Sequence, residues 1–326
     1  MKYFARKFGM LLFTLLISMT INFFLPRLMP GDPAKALMDR MEGVDAEKLD
    51  SVRAAFGLDT QDSLPVQYGK YLLNTVRGDL GISLSRFPMP VSTVLASALP
   101  WTIGLMGLCT IFGFAIGTLL GIWAAWRRQR KLASFTVGFF SFIRSFPYFW
   151  LGLCLIYAFA FKLRFFPLGG AFSIDQARGS AGWWLSVLRY GTLPAFTITL
   201  SSLGAWMLMM RNNMINVLAE EYITLAVAKG LPTKRVKRAY AARNAILPSV
   251  TGFAMSFGFI VGGGLITEMV FAYPGMGYML YQAVNAKDYP LMQAIFLIIA
   301  GSVLVANFIA DIVIMFLDPR VRDGAK

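Results

Sequence analysis

Six stretches of this chain are apolar enough and long enough to cross a lipid bilayer: residues 9–28, 100–126, 134–161, 190–210, 246–270 and 291–317. A spanning helix needs about 20 such residues, so these runs predict an all-α polytopic membrane protein with six transmembrane helices. Composition points the same way. The chain is 57% hydrophobic and 15% charged, against about 45–50% and 25% in an ordinary soluble domain.

The first run has some marks of a signal peptide. Lys2, Arg6 and Lys7 precede it, and Ala34-Lys35-Ala36 follows it. Phe8 to Leu25 nevertheless exceeds the usual signal core of about 7–15 residues, and Pro30 and Pro33 crowd the supposed cleavage site. A retained helix is expected.

A formal net charge of +14 would fit nucleic acid, but the cations gather where a membrane protein keeps them. They stand at Lys2, Arg6 and Lys7, at Arg127, Arg128, Arg130 and Lys131, from Arg211 to Arg243, and at Arg320, Arg322 and Lys326. In a six-helix topology all four groups lie on one side. That side is expected to be cytoplasmic, with both termini, and no nucleic-acid partner is expected. Cys109 and Cys154 both lie in apolar runs and read as small hydrophobes. The absence of histidine removes His-based triads and relays and makes an intramembrane enzyme hard to build.

The expected organisation is a helix over 1–28, an extracytoplasmic subdomain over 29–98, a five-helix core over 99–318 containing a cytoplasmic loop at 212–245, and a tail over 319–326. The subdomain carries nine acidic and seven basic residues and is expected to hold short helices at Glu47–Phe56 and Val66–Val76. A second outer loop covers 162–189. Glycines four apart, at 113, 117 and 121 and again at 258 and 262, allow close helix approach, either within the chain or against a second membrane subunit.

The segment from Glu220 to Pro248 puts six Lys or Arg residues between two apolar runs. Ile223, Ala226, Val227, Gly230 and Leu231 recur at helical spacing, and Gly230 followed by Pro232 is a helix stop. A lipid-resting amphipathic helix and a helix docked in a groove of a cytoplasmic partner are both open. The small residues favour docking.

Several motifs then carry a resemblance. Glu220-Glu221-Tyr222, Ala226-x-Ala228-Lys229-Gly230-Leu231 and Arg243-Asn244-Ala245-Ile246-Leu247-Pro248 resemble the coupling loop of ABC-importer permeases of the dipeptide/oligopeptide/nickel branch. Leu28 to Ala34, Gly57-Leu58-Asp59, Val66-Gln67-Tyr68, Gly78-Asp79-Leu80-Gly81, Pro147-x-Phe149-Trp150-Leu151-Gly152, Glu268 to Gly277, Asp288-Tyr289-Pro290 and Asp318-Pro319-Arg320 are similar to that branch in the same order. The gap between Gly230 and Ile246-Leu247-Pro248 is longer than in the broader family and suits the peptide branch. The histidine often found in the branch is missing near Tyr240 to Asn244.

The resemblance implies the type I ABC importer fold, a place in a bacterial or archaeal plasma (inner) membrane, and a permease subunit without catalytic activity or cofactor. The chain has no Gly-x4-Gly-Lys-Ser/Thr phosphate loop. Two ATP-binding subunits, a second homologous permease forming a heterodimer, and an external solute-binding protein are the implied partners, with membrane lipid around them. Coupling is assigned to Glu220, Glu221, Tyr222, Ala226, Ala228, Lys229, Gly230 and Leu231, and the pathway to Arg144, Pro147, Phe149 and Trp150. Short peptides are the expected solute. Oligosaccharides or another small solute are the alternative, and a proton-coupled carrier is the alternative from another class. Arg144 and Asp311 are the main ionisable groups in the spans. Arg144 either reaches the inner headgroups, if its helix starts near Phe142, or lies about 18 Å along a helix that starts near Leu132 and faces the pathway. Glu268 to Tyr289 is expected outside, packed on the 29–98 subdomain.

Overall fold

The computed structural model describes residues 2–28 and 62–317, and among these there is no β-strand. The first helix, α1 (Lys2–Leu28), is followed by α2 (Leu64–Val76), α3 (Val91–Trp126) and α4 (Lys131–Arg144). Next comes α5 (Tyr148–Leu155), which continues as a π-helical turn over Ile156–Lys162. The longest helix is α6 (Ala181–Leu218), and a short α7 (Glu221–Ala228) lies beyond it. The expected helix at Glu47–Phe56, the motifs at 29–34, 57–59 and 318–320, and the tail all fall outside the described residues.

Four helical segments are long and apolar enough to span by themselves: Arg6–Leu25, Val91–Trp126, Ala181–Leu218 and Tyr289–Ile309. The other two expected spans are bent pairs, so the six runs give six spans only if each pair counts as one. The run at 134–161 is not one helix. It breaks between Arg144 and Tyr148, and its halves meet at 96°. Pro147 causes the break, because it lacks an N–H and disfavours helix at the residue before it. The fifth run is likewise segmented. Thr233–Ala245 meets Leu247–Gly262 at 46°, with Pro248 at the corner. Beyond Phe257–Phe259, a 3₁₀ turn, the run continues as Ile260–Gly263 and Leu265–Val270, separated at Gly264. The last two helices are α8 (Met276–Ala286) and α9 (Tyr289–Leu317).

The most extensive helix pairing joins α3 to α6. Gly113, Gly117 and Gly121 lie in that contact. A Cβ at Gly117 would stand 2.6 Å from Trp206 Cβ, and one at Gly121 would stand 2.6 Å from the Met207 carbonyl oxygen. Gly258 and Gly262 are similarly closed off by Ala306 and Ile299 of α9. Of the two arrangements the spacing allowed, these glycines serve packing within the chain.

At one edge α1 lies along α9. Lys7 Nζ and Asp311 Oδ2 are 2.7 Å apart across this contact, so Asp311 is paired rather than placed on a pathway. Further along, the Asn22 amide donates to the Gln293 carbonyl at 2.7 Å, and Gln293 Nε2 donates to the Asn22 carbonyl at 3.0 Å. Thr20 and Tyr68 share a 2.6 Å hydrogen bond that brings α2 onto α1.

Candidate functional site

The loop after α6 is held to the body by its own apolar residues. Ile223 and Ala226, 5% and 3% exposed, pack with Ala125, Met210, Met214, Val236, Ala241 and Ala245. Leu231 lies partly buried against the same cluster. Both ends of α7 have a physical cause. Glu221 in the first turn complements the positive end of the helix dipole. At the other end Gly230 has φ +73°, a conformation glycine adopts without steric penalty. Its N–H donates to the Val227 carbonyl at 2.9 Å, and the Leu231 N–H donates to the Ala226 carbonyl at 3.3 Å. This is a Schellman termination. Asn244 Nδ2 donates to the Tyr222 hydroxyl at 3.0 Å and ties α7 to the returning chain.

The apolar stripe read from the sequence is therefore divided between two faces. Ile223, Ala226 and Leu231 turn inward, whereas Val227, 60% exposed, and Gly230 turn outward. The outward face also carries Glu221, Tyr222, Leu225, Ala228 and Lys229, with Glu220 exposed just before the helix. Ala226 faces the chain's own core and is not on the outward surface. Helical periodicity locates a buried stripe without saying what buries it.

The second set of expected residues lies at the elbow between α4 and α5. Arg144 closes α4 with its side chain exposed, and Pro147, Phe149 and Trp150 are exposed beside it. The Phe146 ring stacks on Trp150 at 5.0 Å, with Phe142 edge-on to Phe146 at 4.9 Å. Neither placement written for Arg144 matches in full: α4 starts at Lys131, not near Phe142, and no single helix continues past Arg144. Its Cβ would be 3.5 Å from a Cβ at Gly204. Gly204 lies inside the apolar run 190–210 of α6, six residues or about 9 Å before Met210, and Arg211 begins the polar end of the helix. Arg144 therefore sits beside the last third of that apolar run, toward its Arg211 end. Nearby, a cleft of about 200 Å³ opens between α3, α6 and the fifth run, lined by Met106, Thr110, Ser202, Trp206, Ser256 and Phe259 among others.

Two buried carboxyl groups, Glu268 and Asp288, organise the other end of the molecule, and neither is singled out by sequence pattern. Thr102 Oγ1 donates to Glu268 Oε1 at 2.7 Å, and the Gly277 N–H donates to Glu268 Oε2 at 2.6 Å. The Met276 N–H in turn donates to Thr102 Oγ1 at 2.7 Å. Glu268 thus sits on the first turn of α8, where free N–H groups and the helix dipole favour an acceptor. Burial, with the Glu268 charge adding to it, pushes the nearby Tyr273 phenol up to about 12. Asp288 Oδ2 accepts from the Ser83 hydroxyl at 2.5 Å and from the Ser85 N–H and hydroxyl at 2.8 and 2.7 Å. Val91, Val94, Leu95 and Ala98 pack with Met276, Leu280 and Ala283. The expected packing of 268–289 on the segment after α1 is present in its described part, residues 62–98. The signals that would have singled out these carboxyls were Gly275 and Gly277 for Glu268 and Ser83-x-Ser85 for Asp288. Among the described residues no acidic, Cys or His group is arranged to hold a metal ion.

Comparison with known proteins agrees with this architecture. Residues 117–323 match the family described as binding-protein-dependent transport system inner membrane component. Residues 1–103 match the N-terminal part of the corresponding membrane component. The oligopeptide transport system permease protein AppB of Bacillus subtilis (strain 168) is 34% identical over 311 residues, covering 94% of this chain and 95% of that protein. The di/tripeptide transport system permease protein DppB of Pseudomonas aeruginosa (strain UCBPP-PA14) is 32% identical over 338 residues, covering 99% of each. A probable peptide ABC transporter permease protein, y4tP of Sinorhizobium fredii, is 33% identical over 305 residues, covering 92% of each. A multi-pass helical chain of this length, matched from end to end, belongs to the family of binding-protein-dependent transport system inner membrane components.

Proposed function

We propose that this permease passes short peptides, delivered by an external solute-binding protein, through a pathway shared with a second homologous permease. Two cytoplasmic ATP-binding subunits drive the cycle, and both termini lie on their side. The peptide assignment rests on similarity to the oligopeptide permease of Bacillus subtilis and the di/tripeptide permease of Pseudomonas aeruginosa. The orientation rests on the clustering of Lys and Arg.

The observation that carries the coupling role is the outward face of α7. Tyr222, Leu225, Val227 and Ala228 are exposed on a helix whose other face is locked into the body through Ile223 and Ala226. A push on that face reaches α6 and the chain after Val236 through the same cluster. An apolar patch on a charged loop is what a partner's groove would cover. We also assign Arg144 to the pathway: it lies beside Gly204, within the apolar run of α6, where a guanidinium turned to lipid is costly, and facing the pathway it meets the carboxylate or another polar group of the passing solute.

The test uses the reconstituted importer. Leu225→Asp and Val227→Asp should insert and fold normally, since both side chains are exposed. Peptide uptake and peptide-stimulated ATP hydrolysis should each fall at least tenfold. Wild-type uptake in both variants would remove the docking assignment and return α7 to the membrane surface.

A further inference from the structure

The loop over 163–180 is fixed at its root and apolar at its tip. Phe166 and Ala171 pack in one cluster with Phe271 and Tyr273. The Gly170 N–H donates to the Phe271 carbonyl at 2.9 Å, and the Ser173 N–H donates to Ser186 Oγ at 3.1 Å. Phe172 lies against Trp101 with ring centroids 5.7 Å apart. From this mounted base Ile174 projects with 91% of its surface exposed, and Phe165 and Leu168 of the same loop are exposed as well. Trp184, Leu185 and Leu188 are likewise exposed on the first turns of α6, the membrane-spanning helix into which the loop leads.

The charges around the patch are unusual for their place. Lys162, Arg164, Arg178 and Arg189 are all exposed, and Asp175 is the one acidic residue between 162 and 189. Loops on the outer side of a membrane protein are ordinarily poor in Lys and Arg. Four cations and one carboxylate there call for an anionic partner. Exposed apolar side chains interspersed with cations in a loop that leads into a spanning helix match the boundary between acyl chains and phosphate headgroups.

We propose that the 163–180 loop inserts into the outer leaflet, with Phe165, Leu168 and Ile174 at the acyl boundary and the four cations on headgroup phosphates. The side of the membrane rests on the orientation proposed above; the insertion itself rests on the exposed patch and its charges. The loop would then brace the outer ends of α5 and α6 against lipid during transport.

Depth measurement tests this in the assembled importer. Cys154, exposed on α5, is first replaced by Ser. A nitroxide is attached at Ile174→Cys, with Phe196→Cys, exposed within the apolar run of α6, as the lipid reference and Arg77→Cys as the aqueous one. Nanodiscs of phosphatidylcholine alone are compared with discs containing phosphatidylglycerol. The Ile174 label should collide with oxygen more than with a water-soluble nickel chelate, as at Phe196, and more so with the anionic lipid. Arg164→Gln with Arg178→Gln should abolish that lipid-dependent increment. An Ile174 label open to the chelate in both membranes overturns the insertion. So does one open to it until the binding protein is added, which would make the loop a protein contact. An increment that persists without the two arginines overturns the phosphate contact. Orientation is read separately in intact cells with a membrane-impermeant thiol reagent. If Arg77→Cys reacts only after permeabilisation, the orientation fails while the depth result still decides insertion.

Discussion

Gly275 and Gly277 face the same carboxyl group but fail differently when a methyl group is added. The three atoms nearest a Cβ at Gly275 all belong to the Glu268 side-chain carboxyl, which it would overlap. A Cβ at Gly277 would overlap the backbone of Leu265, with Glu268 Oε2 at 3.0 Å. Overpacking of this kind costs about 1–3 kcal/mol. Both Gly275→Ala and Gly277→Ala should therefore lower the thermal midpoint of the detergent-solubilised protein. Adding Glu268→Ala should recover part of the loss at Gly275 and none at Gly277, because neighbours that share one clash couple non-additively. Equal rescue at both positions would contradict the geometry. At Arg144 the measurement is transport rather than stability. Its side chain is exposed, so Arg144→Lys and Arg144→Ala should fold and insert. Lys keeps the charge but loses the planar fork that grips a carboxylate. Uptake should fall in both variants, more in Arg144→Ala, and wild-type uptake in both would end the pathway role.

At the scale of elements, the two faces of α7 separate folding from coupling. Ala226→Trp would force a large ring into a site that is 3% exposed and should reduce the amount of folded protein. Val227→Trp, on the opposite face, should leave folded yield unchanged and reduce uptake. The Gly230 position gives a third behaviour. Open space surrounds a Cβ there, so Gly230→Ala should cost only the left-handed backbone penalty, about 1–2 kcal/mol. The pairing of α1 with α9 is tested by exchange. Lys7→Asp and Asp311→Lys should each weaken the association of the two helices, and the double exchange should restore it. The sequence made existence and order of the spans legible, because hydropathy over about 20 residues is a strong signal. It concealed the 96° elbow, because the apolar run continues through Pro147 and hydropathy does not register a missing N–H. It also concealed the inward turn of Ala226, the burial of Glu268 and Asp288, and the pairing of Asp311 with Lys7. Each of these depends on a partner far away in the chain.

For the whole molecule, the decisive question is whether the ends that the structure separates lie on opposite sides of a membrane and are driven by ATP. Asn285 is exposed on α8, at the end organised by Glu268 and Asp288, and Ala228 is exposed on α7 at the other. Gln282, although close by, is half-buried and accepts from Arg86 at 3.2 Å, so it reports poorly. In cells carrying Cys154→Ser, Asn285→Cys should react with an impermeant thiol reagent directly, and Ala228→Cys only after permeabilisation. The reverse pattern would invert the topology and place α7 beyond reach of a cytoplasmic ATP-binding subunit. The energy source follows from the same polarity. Asp311 is engaged with Lys7, and Glu268, at the end of the fifth run, is buried and held by Thr102 and the Gly277 N–H. Of the two main ionisable groups that the sequence places in the spans, Arg144 is the one without an ion-pair partner among the described residues. A guanidinium does not release its proton at physiological pH, so it cannot serve as a proton relay. Uptake into energised vesicles should therefore persist with a protonophore and stop when ATP is withheld. Uptake that collapses with the proton gradient while ATP is saturating would instead make the molecule a proton-coupled carrier.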